Sequence, residues 1–128
     1  MKAIRIHGPK EVGFEDVPTP RPDDVLVRVH AVAICATDIE LFDGRMFYII
    51  SGMASLTLIP GHEWSGEVVE LGANVRGFFV GDRVAGECSI GCRQCTYCYK
   101  GLYHLCPNRS ETGLIKQVGG FATGNVTL

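Results

Sequence analysis

Four cysteines within fifteen residues constrain this chain more than any other feature. They read Cys92-Arg-Gln-Cys95-Thr-Tyr-Cys98, then seven residues, then Cys106-Pro107. A C-x2-C turn aims both sulfurs at one ion, and tetrahedral zinc takes four thiolates at about 2.3 Å. The intervening residues include Gln94, Tyr99, Lys100 and Gly101, with few aliphatic groups. Such a lobe has little core of its own, so a metal has to fold it. The spacing therefore predicts a closed structural zinc site on Cys92, Cys95, Cys98 and Cys106, in a lobe over about residues 88–107.

Other uses of cysteine fit less well. Six cysteines can pair as disulfides, but Met1 to His7 alternates in character and is no apolar leader. A chain of 128 residues also needs no stapling to bury a core. Bacterial ferredoxins use C-x2-C-x2-C-x3-C-P for iron–sulfur clusters. Here the last gap is seven residues, and no second cysteine set exists. A thioredoxin-type redox pair needs one C-x-x-C on a βαβ unit, and three overlapping cysteines do not offer it. Thiols used as metal ligands imply a reducing compartment, hence the cytoplasm.

The length suits one domain. Twelve basic against fourteen acidic residues leave a formal charge of −2, which gives no footprint for nucleic acid or a membrane surface. No apolar run approaches the roughly 20 residues of a membrane span. Sixteen glycines and six prolines, spread among short apolar runs, predict a β-rich domain with many turns.

Along the chain, Lys2–His7 reads as a strand, Gly8-Pro9 as a turn, and Glu11–Val17 as the returning partner. Pro18–Asp24 is a stiff connector, because its prolines fix φ and remove donors. Val25–Ile34 carries the longest strand signal. Val25, Val27, Val29, Ala31 and Ala33 share one face by period two, and Cys35 continues it. Thr37-Asp38 reads as a helix start before Ile39–Phe42, with Gly44 as its stop. Residues 45–59 read as a long loop beside a cleft. Pro60-Gly61 turns the chain before His62-Glu63-Trp64. Glu67–Leu71 and Arg83–Glu87 are further strands, entered or left at the turns Gly72-Ala-Asn74 and Gly81-Asp82. Gly113–Ile115 and Gly119–Phe121 are expected to form a short hairpin. The whole predicts a small, partly open β-barrel with short helices and one excursion, the zinc lobe.

Cys35, His62 and Glu63 form a second constellation. Each sits at a break in the pattern, where side chains converge on a cleft. One thiolate, one imidazole and one carboxylate would make an open zinc site with a free position for water or substrate. By spacing alone this is weak: a lone Cys is usually a small core residue.

With both constellations in view, the chain resembles the zinc-dependent medium-chain alcohol and polyol dehydrogenases, in their N-terminal catalytic domain. The resemblance rests on Cys35-Ala-Thr37-Asp38 and Gly44, then Pro60-Gly61-His62-Glu63-Trp64-Ser65-Gly66 and Gly81-Asp82-Arg83-Val84. The cysteine lobe and Gly119-Gly120-Phe121-Ala122 follow in family order. Cys106-Pro107-Asn108-Arg109 and Glu111-Thr112-Gly113 look most like the sorbitol and threonine dehydrogenase branch. The fold this implies is a GroES-like barrel over residues 1–128.

The resemblance also implies roles. Cys35 and His62 match two ligands of a catalytic zinc, and Glu63 matches a carboxylate that ligates it in sorbitol dehydrogenase-like members. Asp38 matches the carboxylate that orients the ligand histidine, whose other ring N–H needs an acceptor to fix its tautomer. Thr37 matches the hydroxyl that starts a proton relay, though a helix cap would explain it too. Zinc would act as a Lewis acid on a small alcohol or polyol, with hydride passing to NAD or NADP.

The chain departs from the family in its cofactor site. Dinucleotide binding needs G-x-G-x-x-G between a strand and a helix. The only glycine cluster, Gly119-Gly120-Phe-Ala-Thr-Gly124, has another spacing. A Rossmann domain is therefore expected to be absent. The chain then reads as an isolated domain, a deliberately shortened chain or the product of a truncated gene, with no hydride transfer by itself. The alternative is a non-enzymatic zinc-binding module with the same barrel. Cys88 reads as a spare thiol or a substitute ligand, His104 as a solvated lobe residue, His7 and His30 as ordinary strand residues, and Trp64 as packing. Family members are often homo-oligomers, so one is possible here.

Overall fold

A computed structural model describes residues 1–19, 25–122 and the backbone of 125–127. Strand β1 (Lys2–Gly8) pairs antiparallel with β2 (Glu11–Asp16), as the alternation around Gly8-Pro9 predicts. The connector expected over Pro18–Asp24 lies largely outside the described residues. Strand β3 (Val25–Val32) is followed by helix α1 (Ala36–Asp43) and the one-turn helix α2 (Phe47–Ile50). Strands β4 (Trp64–Leu71) and β5 (Arg83–Ala85) follow. The lobe holds β6 (Ser89–Ile90), helix α3 (Thr96–Tyr99) and a 3-10 turn at Tyr103–Leu105. Strands β7 (Ser110–Thr112), β8 (Lys116–Gln117) and β9 (Asn125–Thr127) come last. Among the described residues these form three small sheets: β1-β2, β5-β4-β3-β9 and β6-β7-β8. Bridges Ala3↔Ala122 and Ile6↔Leu58 join β1 to later segments, giving the partly open β architecture the sequence implies. Among the described residues, no helix is long and apolar enough to cross a membrane.

Among the described residues, three apolar clusters hold the sheets together. Val25, Val27, Trp64 and Val68 pack between β3 and β4. Ile6, Leu41, Leu114 and Ile115 seat α1 against β1 and the chain after the lobe. Ala3, Val17 and Ile59 close the β1–β2 end.

Several sequence expectations need correction. Strand β3 does not keep one buried face, because Leu26 is buried alongside Val25 and Val27, whereas Ala31 and Ala33 are exposed. The register to β4 slips between Leu26 and Val27 and again between Val29 and Ala31, and each slip breaks the two-residue alternation. Helix α1 starts at Ala36, one residue before Thr37-Asp38, with Cys35 as its cap rather than the end of a strand face. Its stop is as expected: Gly44 takes φ 72°, a left-handed conformation that suits glycine. Residues 45–59 contain α2, whose flank Met46, Tyr48 and Ile49 packs on the Ile6–Leu41 cluster. A single turn shows no period, so the sequence reads as loop.

Strand β4 begins three residues earlier than Glu67, at Trp64. Strand β5 stops at Ala85, and at Gly86 a Cβ would meet the Trp64 ring at 2.2 Å. The expected hairpin after the lobe does not form. Glu111 pairs parallel with Lys116, and Gly119–Phe121 instead cross Ile59–Gly61. Gly119 N–H donates to Ile59 O (2.9 Å), Gly120 N–H to Gly61 O (2.7 Å) and Phe121 N–H to Pro60 O (3.1 Å).

Leu41 is fully buried and Ile39, on the same helix, is about half exposed. Leu41→Ala is expected to lower the unfolding free energy by about 2–5 kcal/mol. Ile39→Ala should cost under about 1 kcal/mol. Urea titration of both variants checks the assignment of α1's inner face.

Candidate metal centres

The lobe brings its four sulfurs together. Cys95 Sγ lies 3.6 Å from Cys98 Sγ and 3.7 Å from Cys106 Sγ, and Cys92 Sγ lies 4.0 Å from Cys98 Sγ. All four ligand atoms fall within 4.8 Å of one another. Tetrahedral bonds of about 2.3 Å put sulfurs roughly 3.8 Å apart, so the donor set fits zinc in number, kind and spacing. Local structure explains the convergence. Cys95 caps α3 and Cys98 lies within it, while Arg93 takes φ 61° between Cys92 and Cys95. Gly91 is required: a Cβ there would sit 2.7 Å from Cys98 Sγ. Desolvation, then the hydrogen bond with Cys95, pushes the Cys98 thiol up to about 11. Crowded thiols resist ionising together, and a bound cation inverts that preference.

The second cluster is assembled from two strand ends. β3 gives way after Val32, and Cys35 caps α1. The Gly119–Phe121 crossing fixes Pro60 and Gly61 just before His62. Ala33 N–H donates to Glu63 O at 2.8 Å, so the two segments run side by side. Cys35 Sγ then lies 3.2 Å from His62 Nε2. Asp38 is 7% exposed, and its Oδ2 accepts the Cys35 N–H at 2.9 Å. Its Oδ1 and His62 Nδ1 are both buried without a partner among the described residues. Ligand atoms of Cys35, Asp38 and His62 lie within 4.8 Å of one another. Two orphaned polar atoms beside a thiol–imidazole pair suit a cation site, because buried polar groups left unpaired are costly. Zinc with one sulfur and one nitrogen ligand sets those atoms about 3.5 Å apart, near the observed spacing.

The other sequence candidates fall around this pair. Thr37 is half-buried in the first turn of α1. Glu63 is exposed and lies outside the clustered set, yet it shares a cavity of about 600 Å³ with His62, Trp64 and Cys88. Cys88 is half-buried, and burial, then the charges of Glu111 and Cys35, pushes its thiol up to about 11.

Sequence reasoning did not find one polar group near the lobe's exit. Arg109 Nε donates to Glu111 Oε1 at 2.5 Å, with side chains only 18% and 7% exposed. Arg109 Nη2 also donates to the Tyr48 hydroxyl at 3.2 Å, across 61 residues. The i, i+2 opposite charges were visible, but the partner on α2 was not.

These features define a β-barrel domain with one thiolate knot and one open cysteine–histidine cleft. Residues 21–127 match the alcohol dehydrogenase GroES-like domain, and the chain belongs to that family. L-threonine 3-dehydrogenase of Shewanella loihica is 39% identical over 126 residues, covering 95% of this chain and 36% of that protein. Erythritol/L-threitol dehydrogenase of Mycolicibacterium smegmatis is 36% identical over 129 residues, with 94% and 36% covered. A zinc-binding dehydrogenase of Sinorhizobium meliloti solved with NADP superposes with TM-score 0.79 at 36% identity, covering 98% of this chain and 35% of that one. The chain thus spans about a third of the length of the relatives it matches.

With its pKa raised, Cys88 stays a thiol at neutral pH. Its alkylation by iodoacetamide should be slow at pH 7 and accelerate as pH approaches about 11. Peptide mass mapping across that range checks this, and rapid labelling of Cys88 at neutral pH contradicts it.

Proposed function

We propose that this chain is the zinc-binding catalytic domain of an alcohol or polyol dehydrogenase that works with a nicotinamide-nucleotide domain beyond these residues. The observation that supports it most is the 3.2 Å approach of Cys35 Sγ to His62 Nε2 beside the buried Asp38 carboxylate. In this reading Cys35 and His62 hold a catalytic zinc, with Glu63 as the further carboxylate on the same cavity. When bound, zinc there supplies Lewis acidity that eases deprotonation of an alcohol.

The chain's own residues have separate tasks. Asp38 ties α1 to the Cys35 backbone through Oδ2 and keeps Oδ1 for the His62 ring, which would fix the tautomer that leaves Nε2 free to ligate. Thr37, one residue earlier on the first turn of α1, is the hydroxyl that passes the substrate proton towards solvent. Cys92, Cys95, Cys98 and Cys106 hold a second, structural zinc and no substrate. The relatives' names point to vicinal diols and hydroxy amino acids as the substrate class, oxidised with NAD or NADP. Residues 1–128 offer no nucleotide fingerprint, so hydride transfer is assigned to the longer protein.

Metal content of purified protein and of Cys35→Ser tests this reading. Two zincs per chain falling to one in the variant are expected. One zinc, unchanged by the substitution, would leave only the knot and favour a zinc-binding module without catalysis. Chain mixed with an alcohol and NAD or NADP should show no rise in reduced-nicotinamide absorbance.

Asp38→Ala should in addition cost about 1–3 kcal/mol of stability, since it removes a charged acceptor from a backbone N–H. Asp38→Asn, which keeps an acceptor, should cost less. Denaturant titration measures both, and equal losses would remove Asp38 from its proposed cap role.

A further inference from the structure

A cavity of about 710 Å³ lies between the barrel and the cysteine lobe, away from the Cys35–His62 cluster. Its apolar wall is Val25, Val75, Phe78 and Ile90, and it carries two arginines, Arg76 and Arg93. Arg76 comes from the loop after β4. Its Nη1 donates to Ala73 O (3.1 Å) and Val75 O (2.7 Å), which pins the guanidinium and leaves Nη2 and Nε for another acceptor. Arg93 comes from the first C-x2-C turn. It takes φ 61°, and its backbone N–H bonds Cys98, so its Cα is fixed by the knot. Among the described residues, neither arginine makes an ion pair with a carboxylate.

One carboxylate, Glu87, also lines the cavity, and its Oε1 faces the lobe and accepts the Tyr103 hydroxyl at 2.6 Å. That bond also raises the Tyr103 hydroxyl pKa and keeps it a donor to Glu87. Asn74 and Ser89 add neutral hydrogen-bonding groups to the wall. Two arginines that form no ion pair with a carboxylate among the described residues, beside an apolar surface, match one ligand chemistry. Guanidinium pairs grip planar or tetrahedral oxyanions through parallel N–H bonds, and the apolar wall takes up a hydrocarbon or aromatic body.

We propose that this groove binds a small organic anion, a phosphate or carboxylate carried on an apolar body. The oxyanion sits between Arg76 and Arg93, and the body lies against Phe78 and Ile90. Neither the metal centres nor the dehydrogenase reading requires such a site.

Titration of the isotope-labelled chain with phenyl phosphate and with benzoate, followed by backbone amide shifts, tests the proposal. Inorganic phosphate and phenol separate the charged from the apolar contribution. Saturable shifts at Asn74, Arg76, Ser89 and Arg93 are expected with one or both organic anions, and which anion binds more tightly decides between phosphate and carboxylate. Arg93→Gln should weaken binding about tenfold, and Arg93→Lys should restore part of it. Unchanged zinc content and lobe resonances in these variants show that the knot still folds. Binding unaffected by Arg93→Gln and Arg76→Gln, binding of phenol as tight as phenyl phosphate, or shifts that map outside the groove would overturn the proposal.

Discussion

Three backbone hydrogen bonds between Gly119–Phe121 and Ile59–Gly61 hold the rest of this domain in place. They require close approach: a Cβ at Gly119 would lie 2.1 Å from Pro60 O, and one at Gly61 would meet Phe121 N at 2.9 Å. Gly61 also sits at φ 95°, which other residues rarely tolerate. Phe121 O in turn accepts the Ile4 N–H, so the same segment anchors β1. His62 follows the crossing directly. The position of its ring is therefore set by a segment almost sixty residues further along the chain.

The two candidate metal centres differ in how they are built. The knot is local, with four ligands in fifteen residues, and its geometry follows from a one-turn helix and a tight C-x2-C turn. The cleft is not local. It joins the end of β3 to the start of β4 and is held by the core between them. A local site folds with its ion, whereas the cleft can be shaped by packing before any ion arrives. This division fits a closed site for stability and an open one for chemistry.

How much was legible follows from the same distinction. The knot could be read from spacing, and the β1–β2 pair and the Gly44 stop from local pattern. The Cys35–His62 pair is 27 residues apart, and only resemblance to a family joined the two in the sequence. Other features depended on partners that a linear reading does not show. Leu26 is buried because the register slips, α2 is ordered because Tyr48 and Ile49 find the Leu41 cluster, and Gly119–Phe121 pair with Pro60 and not with Gly113–Ile115. The helix cap was misplaced because Cys35 is an unusual cap residue, and the carboxylate that completes the turn lies three positions inside it. Glu63 lines the same cavity as His62, but its carboxylate lies outside the clustered Cys35, Asp38 and His62 ligand atoms.

Trp64 gives the molecule an optical property of its own. It is the chain's one tryptophan, two residues after His62; Gly86 and Gly120 both lie close against its side chain, and among the described residues its Nε1 has no hydrogen-bond partner. A buried, unpaired indole emits towards the blue and is sensitive to charge and polarisable groups brought near it. Intrinsic fluorescence of this domain therefore reports from one place, between the β3–β4 core and the cleft. Unfolding, and any change of charge or packing at the cleft, can be followed there without any added dye.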